Sequence, residues 1–126
     1  AGITGVIMNQ QTVDIFNPKT IRATMGSIFR VPFVYVPELS PVLTQMHEKG
    51  IHTYAAHLKG QKYYDSFSFR EPTAFLIGNE GNGLTKEISD QAGQYLKIPM
   101  EGKVESLNAS IAAALLMYEA HRQRNL

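Results

Sequence analysis

The sequence predicts an α/β fold, a mostly parallel sheet flanked by helices. Two observations carry this. Short runs rich in β-formers alternate with segments of helical periodicity along the whole chain, and proline, glycine or a capping residue separates most of them. The length, 126 residues, is enough for a single core but not for two full domains.

The elements follow in order. Gly5-Val6-Ile7-Met8 is a short apolar run and reads as a buried strand. Asn17-Pro18 starts a helix, with asparagine as cap and proline in the first helical position. Residues 19–29 continue it, with Ile21, Met25, Ile28 and Phe29 at helical spacing, and Pro32 stops it. Phe33-Val34-Tyr35-Val36 is a strand closed by Pro37. Ser40-Pro41 opens a second helix that ends at Gly50. Residues 51–58 read as a strand, and residues 59–72, polar and aromatic, as a loop or short helix. A strand at 73–77 runs into a glycine-rich turn. A helix at 85–92 and a short strand at 95–100 come next. Residues 106–124 form the last helix, capped by Ser106, with Leu107, Ile111, Leu115 and Tyr118 on one face. In sheets of this kind ligands sit outside the carboxyl ends of the strands, which directs attention to residues 79–84, 101–105 and the segment after Tyr54.

Composition excludes several classes. With 44% hydrophobic and 18% charged residues the chain is not disordered. A formal net charge of +1 excludes a polybasic binder and leaves room for a local basic patch. The absence of cysteine excludes a disulfide framework, Cys-ligated zinc and a thiol nucleophile, and fits a cytoplasmic location. No apolar run approaches the ~18 residues that span a bilayer. His47, His52, His57 and His121 lack metal-ligand spacing, so no metal site is expected.

Three segments could carry chemistry. In Phe75-Leu76-Ile77-Gly78-Asn79-Glu80-Gly81-Asn82-Gly83-Leu84, glycines at a strand exit serve either a tight turn or close approach of backbone to a ligand. The order is neither a dinucleotide fingerprint nor a phosphate loop. Glu80 would repel a phosphate and suits a cationic partner. Ile98-Pro99-Met100 leads through Gly102 to Ser106-Leu107-Asn108-Ala109-Ser110, where free backbone N–H groups and the polar Asn108 gather at a helix start; Asn108 could equally be merely solvated. In residues 17–33, Ala23, Gly26 and Ser27 permit close packing. Arg22 could hold a phosphate or simply face solvent. Tyr63-Tyr64 and residues 67–69 could stack on RNA bases or anchor a loop on the core.

Together the three segments resemble the SpoU/TrmH-type RNA 2′-O-ribose methyltransferases of the SPOUT superfamily. Gly78-Asn79-Glu80-Gly81 with Gly83-Leu84 resembles that family's second motif, and residues 98–110 resemble its third. Arg22-Ala23-Thr24-Met25-Gly26-Ser27 with Phe29-Arg30-Val31-Pro32 is similar to the stretch between its first and second motifs. The resemblance implies one α/β-knot domain over residues 1–126, with a C-terminal trefoil knot. It implies S-adenosylmethionine as cofactor, held near Ala56, Gly78, Asn79, Gly83, Ile98, Met100 and Leu107, and a homodimer with the last helix in its interface. It implies methyl transfer to a ribose 2′-hydroxyl of RNA, ribosomal in preference to transfer RNA, without a metal or membrane partner. Glu80, Ser106 and Asn108 match catalytic-site residues, Glu80 as the carboxylate that orients an arginine. Arg22, Lys59 and Lys103 are candidate RNA contacts, with Lys62 and Arg70 nearby. The family's first motif, with its arginine, would lie N-terminal to Ala1, so this chain alone is expected to be catalytically incompetent. The alternatives are a flavodoxin-like nucleotide-binding module and an inactive RNA-binding scaffold. The enzymatic reading requires the two glycine-punctuated segments to form facing walls of one pocket.

Overall fold

The computed structural model describes residues 1–79 and 82–126 and divides into two compact units, Gly2–Leu39 and Ser40–Leu126 with Ala1. In the first unit β1 (Val6–Asn9) pairs in parallel with β2 (Phe33–Val36), Val6 opposite Phe33 and Asn9 opposite Val36. Helix α1 (Pro18–Ala23) starts as its sequence requires: Asn17 Oδ1 accepts the Lys19 N–H at 2.9 Å and Pro18 is the first helical residue. The expected continuation to residue 29 does not form. Met25 and Gly26 both adopt left-handed backbone, with φ of 51° and 87°, and end the helix. A separate 3-10 turn, Ser27–Phe29, follows and buries Ile28. Strand β1 also departs from expectation. Met8 is buried, but Val6 and Ile7 stay exposed, because a strand in a two-stranded ladder gains cover from only one neighbour. The Tyr35 hydroxyl pins the connecting loop, accepting from the Ile15 N–H at 2.8 Å and donating to the Val13 carbonyl at 3.1 Å.

The second unit holds helix α2 (Ser40–Glu48), β3 (His52–Ala56), β4 (Thr73–Leu76), helix α3 (Lys86–Gln91), β5 (Gln94–Leu96) and helix α4 (Ala109–Arg124). Its strands order as β4-β3-β5, with every described pairing parallel. The chain therefore leaves β4 on one side of β3 and returns as β5 on the other. Strand β3 is central and buries Thr53, Tyr54 and Ala55. This is the mostly parallel sheet flanked by helices that the sequence predicts, its described strands falling into two ladders. Among the described residues no helix is long and apolar enough to cross a membrane.

The core of this unit comes from the loop as much as from the sheet. Phe69 is fully buried and packs edge-on against Tyr54 and Phe75, with ring centroids 5.1 and 5.0 Å apart. Leu96, Leu116 and Ala120 complete the cluster, and Tyr64, Phe67 and Phe75 pack against it. Helix α4 differs from expectation in two respects. It begins at Ala109, not Ser106, because Asn108 is the cap: its Oδ1 accepts from the Ser110 N–H at 2.9 Å and the Ser110 hydroxyl at 2.6 Å. The buried face is not the one through Ile111, Leu115 and Tyr118. It runs through Leu116, Glu119, Ala120 and Gln123, while Ile111 and Tyr118 are exposed. The polar members of that face are satisfied. Gln123 accepts the Phe69 N–H at 2.6 Å and donates to the Phe67 carbonyl at 2.9 Å, and Arg122 makes two 2.8 Å hydrogen bonds to Glu119. Burial of polar groups that find such partners carries little penalty, which hydrophobic patterning does not register.

Candidate functional site

Parallel strands deliver their carboxyl ends to one side, and there a cleft of about 570 Å³ opens in the Ser40–Leu126 unit. Strand β3 contributes Ala56 and then His57 and Leu58. Strand β4 contributes Leu76, followed by Ile77, Gly78 and Asn79. The exit of β5 contributes Lys97, Ile98 and Met100. The start of α4 closes the remaining wall with Glu105, Ser106, Leu107, Asn108, Ala109 and Ala112. Both glycine-punctuated segments therefore line the same cavity.

The first wall is shaped by backbone. The Gly83 N–H donates to the Asn79 carbonyl at 3.0 Å, the Asn82 N–H donates to Asn79 Oδ1 at 2.6 Å, and Gly83 has φ of 66°. Gly78 lies so close beneath this turn that a Cβ on it would sit 2.4 Å from Gly83 C and Leu84 N. Only glycine fits there without moving main chain. Glu80 and Gly81 lie outside the described residues.

His57, which lines the cleft, is held in place by groups around it. The His57 N–H donates to the Leu96 carbonyl at 3.0 Å, tying the end of β3 to β5. His57 Nδ1 accepts the Lys59 N–H at 3.0 Å, so the neutral ring carries its proton on Nε2. The imidazole stacks on Tyr95 at 4.5 Å and 17°. The Tyr95 hydroxyl donates to Asp90 at 2.9 Å; that bond first, then burial, raises the phenol above its ordinary range.

The cleft thus brings together Ala56, Gly78, Asn79, Gly83, Ile98, Met100, Ser106, Leu107 and Asn108 from the sequence-based candidates. Lys59 and Lys103 are exposed and are not among its lining residues, and Arg22 is an exposed residue of the Gly2–Leu39 unit. The sequence reading pointed to residues 101–105 and to the segment after Tyr54 without naming Glu105 or His57 as lining residues, and it passed over Lys97. Their signal was positional, since His57 and Lys97 directly follow strands and Glu105 precedes a helix start. Among the described residues no three His, Asp or Glu side chains gather as a metal site.

The cleft is suited to a nucleoside with a charged tail. Leu76, Ile98, Met100 and Leu107 offer apolar surface for a flat ring, strand-end backbone offers polar edges, and Glu105 offers a carboxylate to a cation. About 570 Å³ falls within the ordinary range for a small-molecule site.

Known proteins share this architecture. The model of the SpoU rRNA methylase family matches residues 1–118. A Staphylococcus haemolyticus protein assigned to the TrmH family of tRNA/rRNA methyltransferases is 34% identical over 125 residues, 99% of this chain and 50% of the relative. The SpoU methyltransferase AviRb of Streptomyces viridochromogenes, solved in complex with the cofactor AdoMet, superposes with a TM-score of 0.89 at 34% identity, over 98% of this chain and 48% of that one. A TrmH/SpoU tRNA-modifying enzyme of A. aeolicus superposes with a TM-score of 0.85 at 28% identity, over 98% of this chain and 63% of that one. The chain spans about half the length of the curated relatives it matches.

Proposed function

The chain belongs to the SpoU rRNA methylase family, and from that premise we propose that its cleft binds S-adenosylmethionine and that the whole protein transfers the methyl group to a ribose 2′-hydroxyl of RNA. The observation that carries this is the sharing of one cleft by the two glycine-punctuated segments at the carboxyl ends of three parallel strands. Ribosomal RNA is favoured over transfer RNA by the family's own description, and a structural relative at 34% identity is an RNA 2′-O ribose methyltransferase. Residues 1–126 are read as the methyltransferase domain, acting as a homodimer in the cytoplasm. A C-terminal trefoil knot is part of the same proposal, on the resemblance of residues 78–84 and 98–110 to the family's motifs.

The bound sulfonium supplies an already activated methyl, so the protein's task is alignment and removal of one proton. Ala56, Gly78, Ile98, Met100 and Leu107 would enclose the nucleoside, and Asn79 and Gly83 would shape the turn that covers it. The Asn108 carboxamide fixes the start of α4 and, with the Ser106 hydroxyl, places polar groups at the cleft wall. Glu80 is proposed to orient a cation that assists the ribose hydroxyl. Arg22, Lys59 and Lys103 are proposed RNA contacts.

Calorimetry with S-adenosylhomocysteine and, separately, flavin mononucleotide tests the cleft. Saturable binding of the first alone is expected, and Gly78→Val should lose it because the turn cannot close. Binding of the flavin nucleotide alone would sink the reading. Transfer of a labelled methyl to ribosomal and transfer RNA transcripts, with ribose 2′-O-methylation read by mass mapping, tests the reaction. Methylation of ribosomal RNA at a ribose 2′-oxygen is expected from the whole protein, and its absence with every RNA offered would sink the assigned reaction.

A further inference from the structure

The aromatic residues of the loop between β3 and β4 divide sharply. Phe69 is fully buried, and Tyr64 and Phe67 pack against the same core cluster. Tyr63 is 50% exposed. Its main chain is nevertheless held on both sides: the Lys97 N–H donates to the Lys62 carbonyl at 2.9 Å, and the Tyr64 N–H donates to the Lys97 carbonyl at 2.9 Å. Tyr63 and Lys97 form a parallel bridge, and Lys97 itself lines the cleft. An exposed aromatic on a fixed backbone at a cleft edge pays little ordering entropy when a flat ligand settles on it.

Three lysines accompany it, on the same loop or across the bridge. Lys59 and Lys62 are exposed on the same loop, and Lys97 stands across the bridge. Lys62 Nζ sits 5.9 Å from the Phe67 ring centroid, which draws the ammonium toward the loop. The nearest loop carboxylate in sequence, Asp65, acts electrostatically on Arg122, and among the described residues Glu105 is the acidic one lining the cleft. Aromatic face plus backbone-neutralising lysines is the chemistry of a single-stranded nucleic-acid site.

We propose that Tyr63 is a stacking platform for a nucleobase flanking the target nucleotide, with Lys59, Lys62 and Lys97 taking the adjoining phosphates. This rests on the methyltransferase reading of the adjacent cleft. It assigns the strand's approach to the β3–β4 loop, where the sequence reading favoured loop anchoring over base stacking for Tyr63.

The chain contains no tryptophan, so Tyr63→Trp supplies a single fluorophore at the site. Titration with a twelve-nucleotide single-stranded RNA of mixed sequence, with S-adenosylhomocysteine present, should quench that tryptophan as binding saturates. By anisotropy with the labelled RNA, Tyr63→Phe should bind as the parent does and Tyr63→Leu should bind roughly tenfold or more weakly. Lys62→Ala should make the plot of log affinity against log salt shallower by about 0.7. Calorimetry of S-adenosylhomocysteine on each variant should be unchanged, which shows an intact fold and reports on the cleft separately. Equal RNA affinity of Tyr63→Leu and parent, an unquenched tryptophan at saturation, or no RNA binding by the parent would each overturn the stacking site. Loss of S-adenosylhomocysteine binding with the Tyr63 effect intact would overturn only the cofactor reading.

Discussion

The units Gly2–Leu39 and Ser40–Leu126 are assembled from the same parts and bury them to different depths. Each has parallel strands connected through helical segments. In the larger unit Phe69, Leu96 and Leu116 are sealed from solvent. In the smaller one the buried apolar side chains are Met8 and Ile28, while Val13, Phe16, Met25 and Phe29 are more than half exposed. The difference lies in what covers the sheet. Strand β3 has neighbours on both edges and an aromatic loop folded onto it, and that loop is fastened by hydrogen bonds from Gln123 and Arg124 to Phe67, Phe69 and Glu71. Alternation of strands and helices predicts a fold class; a deep core requires a lid with satisfied backbone.

The sharpest way to break this contrast is to truncate one phenylalanine in each unit. Phe69→Ala removes a ring from a sealed cluster and should cost about 4 kcal/mol, read by denaturant unfolding. Phe29→Ala, at a side chain 84% exposed, should stay within about 0.5 kcal/mol. Comparable losses at the two sites would show that the smaller unit has a core of equal depth.

The fastening of the loop gives the next largest effect. Gln123→Ala leaves the Phe69 N–H buried without an acceptor and should cost about 2 kcal/mol. Beside it, the hydrogen bonds from Arg122 hold the Glu119 carboxyl below its ordinary 4.5, against the opposing pull of burial. A carboxylate with a depressed folded-state pKa contributes stability that is fully present above the unfolded value and is lost as pH falls through the folded one. Stability should therefore decline from about pH 4.5 downward, and Glu119→Gln should flatten that decline. An identical acid slope in parent and variant would remove Glu119 from the account. The exposed Lys86–Asp90 pair, 3.9 Å apart, should add nothing measurable.

Much of this architecture was legible in the sequence, and the parts that were not share a cause. The order of elements, the Asn17-Pro18 helix start and the Gly78 turn are local: each depends on a few adjacent residues whose backbone preferences are strong. The convergence of the two glycine-punctuated segments was legible only through resemblance, because nothing in spacing brings residues 78 and 107 together. The face of α4 was misread because Glu119 and Gln123 are buried by partners distant in the chain, which apolar periodicity cannot see. Ser106 was taken for the cap of α4 because several good capping residues stand within a few positions of one another, and Asn108 prevailed by accepting from Ser110. His57 went unassigned since its role depends on the Lys59 amide and the Tyr95 ring, not on histidine spacing.

A smaller effect concerns α1, which ends well before the residue that its spacing predicts. Helical spacing through Ile21, Met25, Ile28 and Phe29 argues for continuation, yet Met25 is left-handed and 88% exposed. A non-glycine residue in that conformation carries roughly 1–2 kcal/mol of strain, here without compensating packing. Met25→Gly should relieve it. Part of that gain is lost to the greater freedom of glycine in the unfolded chain, leaving about 0.5 kcal/mol of net stabilisation. Gly26→Ala, at φ of 87°, should move stability the other way by about 1 kcal/mol. Opposite signs at adjacent positions would show that backbone conformation, not lost apolar contact, ends α1. Destabilisation by both would mean that the Met25 side chain is packed, and that the smaller unit buries more of its apolar surface than its exposures indicate.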